Sequence, residues 1–308
     1  MSNTDCRSPL TTAEQITNTV MPGKVNSSFI KLLVLGILAG VYIGFGGEIA
    51  TLVGSDAAKF FGFGVSKLIV GGVFSLGLML VIIAGAELFT GNILIIMSVL
   101  SKKSSFSGLL RNWGIVYSAN LIGSLLLVLL VVGSGLWSQH DYITGIAALK
   151  IANAKVNLTF GEAFTRGILC NWLVCLAVWM AVASRNVIGK IFAIFFPIMT
   201  FVALGYEHCI ANMYFIPKAI ILKSIPALVS AAGLSASQLG NLNVHGFVVN
   251  NLIPVTLGNI VGAAVFVGVF YWAVYMQDSS KYDTQEAMKR LKEQMDKDID
   301  KELIGTNR

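Results

Sequence analysis

Two titratable residues stand side by side in an otherwise apolar stretch, Glu207 and His208 within Leu204 to Tyr214, LGYEHCIANMY. An ionisable group at the bilayer centre costs about 2.5 to 3.5 kcal/mol even on insertion scales, so such groups line cavities and carry function. The spacing is repeated: in Gly85 to Asn92, GAELFTGN, the residues Gly85, Glu87 and Asn92 stand to one another as Gly205, Glu207 and Asn212 do. One site built twice is the natural reading. An imidazole changes charge near physiological pH and both donates and accepts hydrogen bonds, so His208 suits proton exchange with a weak acid that arrives as its anion. A lone histidine on an apolar face is usually structural; its place in a glycine-broken helix argues for a transport path.

The elements that must position these groups are membrane spans. With 55% hydrophobic and 12% charged residues over 308 positions, the composition is that of an integral membrane protein and excludes a soluble globule. Of the 16 acids and 22 bases, eight and seven fall after Gln277. The net charge of +6 does not signal nucleic acid, because outside the tail the bases stand singly or in pairs at helix ends. Cys6, Cys170, Cys175 and Cys209 form no CxxC pair, so reduced thiols are expected, with no metal site and no cofactor.

Six apolar segments long enough to span, at about 30 to 53, 68 to 99, 108 to 136, 160 to 183, 188 to 222 and 248 to 276, predict an all-α membrane fold with the second and fifth spans broken. Even-numbered spans put both termini on one face. The tails and the loops at 100 to 111 and 184 to 190 carry 15 Lys and Arg against seven opposite, which predicts cytoplasmic termini. Gly36 with Gly40 and Gly258 with Gly262 are spacings that let helices approach closely. Landmarks recur in both halves, GIL at Gly36 and Gly167 and Asn-x-x-Gly at Asn120 and Asn259. Three spans per half then predict an inverted 3+3 repeat with its site at the repeat interface. Irregular backbone at that depth must face protein or a water-filled path. Half-helix N-termini near Asn92 and Ile210 would turn partial positive charge to the midplane and favour an anion.

The division expected is an N-terminal arm over 1–29, a channel domain over 30–276 and a charged tail over 277–308. Thr12 with Gln15 suggests a short amphipathic helix through Val20, lying on the membrane or solvated. In the tail, Asp283 to Glu286 reads as a capping box ahead of an apolar stripe of Met288, Leu291, Met295, Ile299 and Leu303, suited to a neighbouring copy or to lipid.

From about residue 30 to 276 the chain resembles the formate/nitrite transporters, most of all bacterial formate channels. The residues that carry the likeness are GAELFTGN at 85–92, KVNLTF at 155–160, GILCNWLVCLAVWM at 167–180, GYEHCIANMY at 205–214 and NNLIPVTLGN at 250–259. The resemblance implies an aquaporin-like fold, homopentamers with one pore per subunit, and passage of small monovalent anions or their acids across the plasma (inner) membrane. It also implies a central histidine at His208, a loop threonine at Thr90 supported by Asn259, a pore asparagine at Asn171, and a vestibule lysine at Lys155 beside Glu207. Phe74, Leu78, Phe89, Val174 and Phe201 match apolar constrictions, Phe74 and Leu78 sharing one helix face. Leu158 stands where several members have histidine, and the tail is longer than usual.

These expectations combine into one mechanism. Lys155 and the half-helix dipoles draw in an anion, Thr90 and His208 supply a hydrogen bond or proton, and the small acid passes the apolar rings far more cheaply than its bare anion would. Glu207, Glu87, Asn212 and Asn92 brace the loops. Formate is the expected substrate, moving with a proton, ahead of nitrite, hydrosulfide, acetate and lactate. A water channel lacks its Asn-Pro-Ala motif here. An intramembrane enzyme using His208 and Glu207 lacks any HExxH or GxSxG companion.

Overall fold

A computed structural model describes residues 5–277, and among them the chain is helical apart from turns and one isolated bridge between Cys6 and Ser184. The tail's expected capping box and apolar stripe lie outside the described residues. The crossings are Phe29–Gly54, the broken pair Ala57–Gly85 and Phe89–Leu100, Phe106–Gly133, Phe160–Ala183, the broken pair Val187–Ala203 and Cys209–Leu222, and Gly246–Gln277. These are the six expected spans with the two expected breaks. The second begins at Ala57 rather than near residue 68, because its first turns contain Lys59, Lys67 and a kink at Gly62, where φ is 71°. Hydropathy drops there while the chain stays helical on either side of the kink.

Caps decide where several spans start. Ser28, Ser105 and Asn186 each accept a hydrogen bond from the backbone N–H three residues on, and Thr159 with Glu162 forms a reciprocal capping box. The sequence reading passes over a further helix, Gln139–Val156, between the third and fourth spans. Its buried Leu149, Ala152 and Val156 recur at helical spacing and pack it against the half-helix that follows His208.

The N-terminal arm winds through Pro9–Gln15, Ile16–Val20 and Met21–Val25. Ser8 is its cap, accepting from Thr11 N at 3.2 Å, while the Thr12 hydroxyl donates to Ser8 O at 2.8 Å. Ala13, Ile16 and Met21 are buried, so protein rather than lipid takes up the arm's apolar face. The entering strand is pinned by Arg7 N to Ala183 O at 2.9 Å and Arg185 N to Asp5 O at 3.0 Å.

In lipid, apolar burial gives little drive for helices to associate, and close contact must supply it. The first span meets the third, and the fourth meets the sixth, through glycines that leave no room for a side chain. A Cβ on Gly123 would come within 1.9 Å of Ile37 O, and one on Gly262 within 2.3 Å of Ile168 O. Gly123 follows Asn120 by three residues as Gly262 follows Asn259, so the two seams are one seam repeated. Gly123→Leu or Gly262→Leu is therefore expected to destabilise the fold by about 1–3 kcal/mol or more through overpacking. Thermal unfolding in detergent measures it, with Gly114→Leu, where a Cβ meets nothing within 4 Å, expected to leave the midpoint unchanged.

Candidate functional site

Each break begins at a glycine in the left-handed region, Gly85 at φ 87° and Gly205 at φ 74°, which a side chain would strain. Beyond it the chain runs extended past a glutamate before the next half-helix starts. The backbone freed by the break is paired the same way in both halves. Glu87 N donates to Leu35 O at 3.1 Å, and Glu207 N to Arg166 O at 3.3 Å. The Asn120 amide donates to Gly36 O at 2.8 Å and Glu87 O at 2.9 Å and accepts from Phe89 N at 3.0 Å. The Asn259 amide donates to Gly167 O at 2.8 Å and Glu207 O at 2.9 Å and accepts from Cys209 N at 2.9 Å. Asn259 thus braces the loop of His208 directly; it reaches Thr90 only through Asn171, whose amide donates to Asn259 O at 2.8 Å and Thr90 O at 3.2 Å.

The glutamates anchor a second duplicated cluster. Glu207 pairs with Lys155 at 2.8 Å and accepts from the amides of Asn212 at 2.7 Å and Asn251 at 3.2 Å. Asn212 also donates to Asn251 at 2.7 Å, and Asn251 to Lys155 O at 3.0 Å. In the other half Glu87 pairs with Lys24 at 2.9 Å and accepts from Asn92 at 2.7 Å; Asn92 donates to Asn112 at 2.9 Å, and Asn112 to Lys24 O at 3.2 Å. Lys24, Asn112 and Asn251 escaped the sequence reading, although a signal was present. Lys24 precedes Gly36 by twelve residues as Lys155 precedes Gly167, and Asn112 and Asn251 each lie eight before Asn120 and Asn259. The repeat, extended to those offsets, contains all three.

Between the clusters sits a pair without a counterpart in the other half. His208 caps its half-helix through Nδ1, which accepts from Ala211 N at 3.1 Å, and its Nε2 lies 3.0 Å from Thr90 Oγ1; both residues are buried. With Nδ1 accepting, the neutral ring carries its proton on Nε2, as assigned from the hydrogen-bond pattern. Nε2 then donates to Thr90 Oγ1, and the threonine hydroxyl hydrogen is left for another acceptor. Asn171 is buried behind the pair with its Oδ1 unpartnered.

Two cavities approach this centre from opposite faces. One, of about 170 Å³, is lined by Lys155, Glu207, His208, Phe74, Phe201 and Phe215. Phe74 meets Phe201 edge-on at 5.8 Å, and Phe201 stacks on the His208 ring at 6.0 Å. The other, of about 490 Å³, lies on the side of the N-terminal arm and reaches Leu78, Leu88, Glu87 and Lys24. Val174 is buried but lines neither, and the Phe89 ring turns toward the third span, against Tyr117 at 4.8 Å and Trp113 at 5.9 Å. Such an arrangement can gather a small anion at either mouth and offer it a hydrogen-bonding pair inside an apolar neck.

Comparison with known proteins agrees with this geometry. A family model described as formate/nitrite transporter matches residues 11–273. A protein named probable formate transporter from Methanothermobacter thermautotrophicus is 44% identical over 265 residues, covering 80% of this chain and 90% of its own. Formate channel FocA of Escherichia coli K12 is 39% identical over 262 residues, 82% of this chain and 89% of its own. A solved structure titled as a pentameric formate channel with formate bound superposes with a TM-score of 0.75 at 43% identity, covering 81% of this chain and 98% of that one.

The ion pairs carry a stability consequence. Removing Lys155 alone leaves Glu207 buried and uncompensated, at a cost of about 3 kcal/mol or more. Lys155→Ala is expected to lower the thermal midpoint clearly and Lys155→Met with Glu207→Gln much less, with the same contrast for Lys24 and Glu87; equal losses in single and double variants would contradict this.

Proposed function

The chain belongs to the formate/nitrite transporter family, and from that premise we propose that it carries formate across the membrane together with a proton. The observation that carries the reading is the buried His208–Thr90 pair, 3.0 Å apart in a neck walled by Phe74, Phe201 and Leu78. The relatives named for formate support the choice of substrate over nitrite, hydrosulfide, acetate and lactate. The family is one of transporters, not enzymes, and the geometry gives Glu207 no role as a base for His208, since its carboxylate is taken up by Lys155, Asn212 and Asn251.

Lys155 on one face and Lys24 on the other draw the anion into the cavities, and the N-termini of Phe89–Leu100 and Cys209–Leu222 add partial positive charge at the neck. There a bare carboxylate would lose its hydration without replacement. The Nε2–H of His208 polarises Thr90, whose hydroxyl donates to a formate oxygen; a proton entering from the bulk solution on the same side completes formic acid, and the neutral acid crosses. Protonating Nδ1 would release the cap on Ala211 N–H, so the resting ring stays neutral. The arm, channel domain and tail are functional divisions on this reading. The subunits form a homopentamer, as in the similar solved structure, in the plasma membrane with cytoplasmic termini, the orientation that the lysine and arginine count supports.

Uptake of labelled formate into proteoliposomes at external pH 5 and 7.5 tests this. Wild type is expected to take up more at pH 5, because more substrate carries its proton. His208→Ala and Thr90→Val are each expected to lose about tenfold, the worth of one hydrogen bond to a charged group. Uptake of nitrite, hydrosulfide, acetate or lactate with no uptake of formate would overturn the substrate, and a rate independent of pH would overturn the proton link.

A further inference from the structure

The larger cavity holds more positive charge than a monovalent substrate requires. Its walls include Arg7 from the entering strand, Lys24 from the arm, Lys31 from the first span and Lys190 from the fifth, against one carboxylate, Glu87. Lys24 is paired with Glu87, and the other ion pairs among the described residues are Lys155–Glu207 and Lys218–Glu48. Lys31 and Lys190 therefore have no carboxylate partner there, and Arg7 donates one N–H to Val182 O at 2.5 Å while keeping the rest of its guanidinium. The opposite cavity sets Lys67 and Lys155 against Glu207 in about a third of the volume, roughly 170 against 490 Å³. Bases near a membrane face ordinarily snorkel outward to the headgroups; these, from four separate segments, line one open-mouthed cavity, Lys31 exposed at its rim and Arg7, Lys24 and Lys190 half-buried.

We propose that this vestibule binds a phosphate-bearing anion of two or more charges, which blocks the pore from the arm side. The inference rests on the reading of the vestibule as one end of the transport path. Guanidinium and ammonium groups converging from several sides suit phosphate oxygens, and a cavity of about 490 Å³ falls in the size range of small-ligand sites. At its inner end Leu78 and Leu88 are almost wholly buried, so an anion of that size can enter but not pass. Substrate and blocker are thereby sorted by size and charge in one space.

Titration calorimetry of the full-length wild type with pyrophosphate, beside a Lys31→Gln, Lys190→Gln double variant, is the first test. Binding is expected to weaken with rising salt and to fall about tenfold or more in the variant, as the loss of charge-assisted hydrogen bonds requires. Formate uptake without pyrophosphate is expected to be equal in the two proteins, and pyrophosphate on both sides of the vesicle to slow only the wild type strongly. Nanodiscs with and without cardiolipin separate the sources: displacement of pyrophosphate by cardiolipin assigns the site to a headgroup phosphate, and undisturbed binding to a soluble one, either supporting the site. Wild-type binding no stronger than that of chloride at equal ionic strength, or binding unchanged in the variant, overturns the proposal. Salt-sensitive binding with no formate uptake would instead leave the site standing and overturn the transport reading.

Discussion

A membrane supplies no water to satisfy loose backbone groups, and the whole architecture depends on meeting that constraint at two places where helices are deliberately broken. Asn120 and Asn259 meet it. Each amide ties a loop carbonyl to the neighbouring span and caps the first backbone N–H of the following half-helix. Only with the backbone thus paired can extended chain persist in the interior, where it presents His208 to the neck and leads into the short helix whose first turn carries Thr90. The glycine seams serve the same end, since they bring the first span to the third and the fourth to the sixth closely enough for those amides to reach.

The scaffold is duplicated, but its chemistry is not. Counting from each glutamate, His208 corresponds to Leu88 and Thr90 to Ile210, so the hydrogen-bonding pair is made of one residue from each half. Counting from Gly36 and Gly167, Asn171 corresponds to Gly40, where a Cβ would come within 2.1 Å of Asn120 O. A buried amide thus fits in one half and nothing fits in the other. The second half of the fifth span departs further: Lys218 is buried against Glu48, which also accepts from the Tyr214 hydroxyl at 2.5 Å, whereas the equivalent of Lys218 is Ser98. A duplicated frame satisfies the backbone at both breaks, and departures from it leave each face of the pore with a different electrostatic character.

Much of this was legible because membrane spans announce themselves in one dimension. The six apolar runs, the two glycine breaks and the Glu–Asn spacing follow from local chemistry that lipid enforces on any chain. The helix Gln139–Val156 was harder to see because its apolar residues are interspersed with polar ones, and the arm because Ile16 and Met21 find their partners in distant spans. Glu87 and Asn92 were legible at their break, but their partners Lys24 and Asn112 were not: each lies on a different element, and a lysine in a polar arm looks solvated until the arm is folded onto the break.

By itself the sequence determined that the chain crosses a membrane six times, that its second and fifth crossings break, and that titratable groups lie at the breaks, because hydropathy, glycine and charge act locally. Tertiary structure decided what those groups do to one another. It set which nitrogen of His208 accepts from Ala211 and which faces Thr90, turned Phe89 toward the third span, closed Lys24 onto Glu87, and gathered Arg7, Lys31 and Lys190 around one cavity. Those are distances between segments far apart in sequence, fixed only when close-packed helices and paired backbone leave each side chain one place to go.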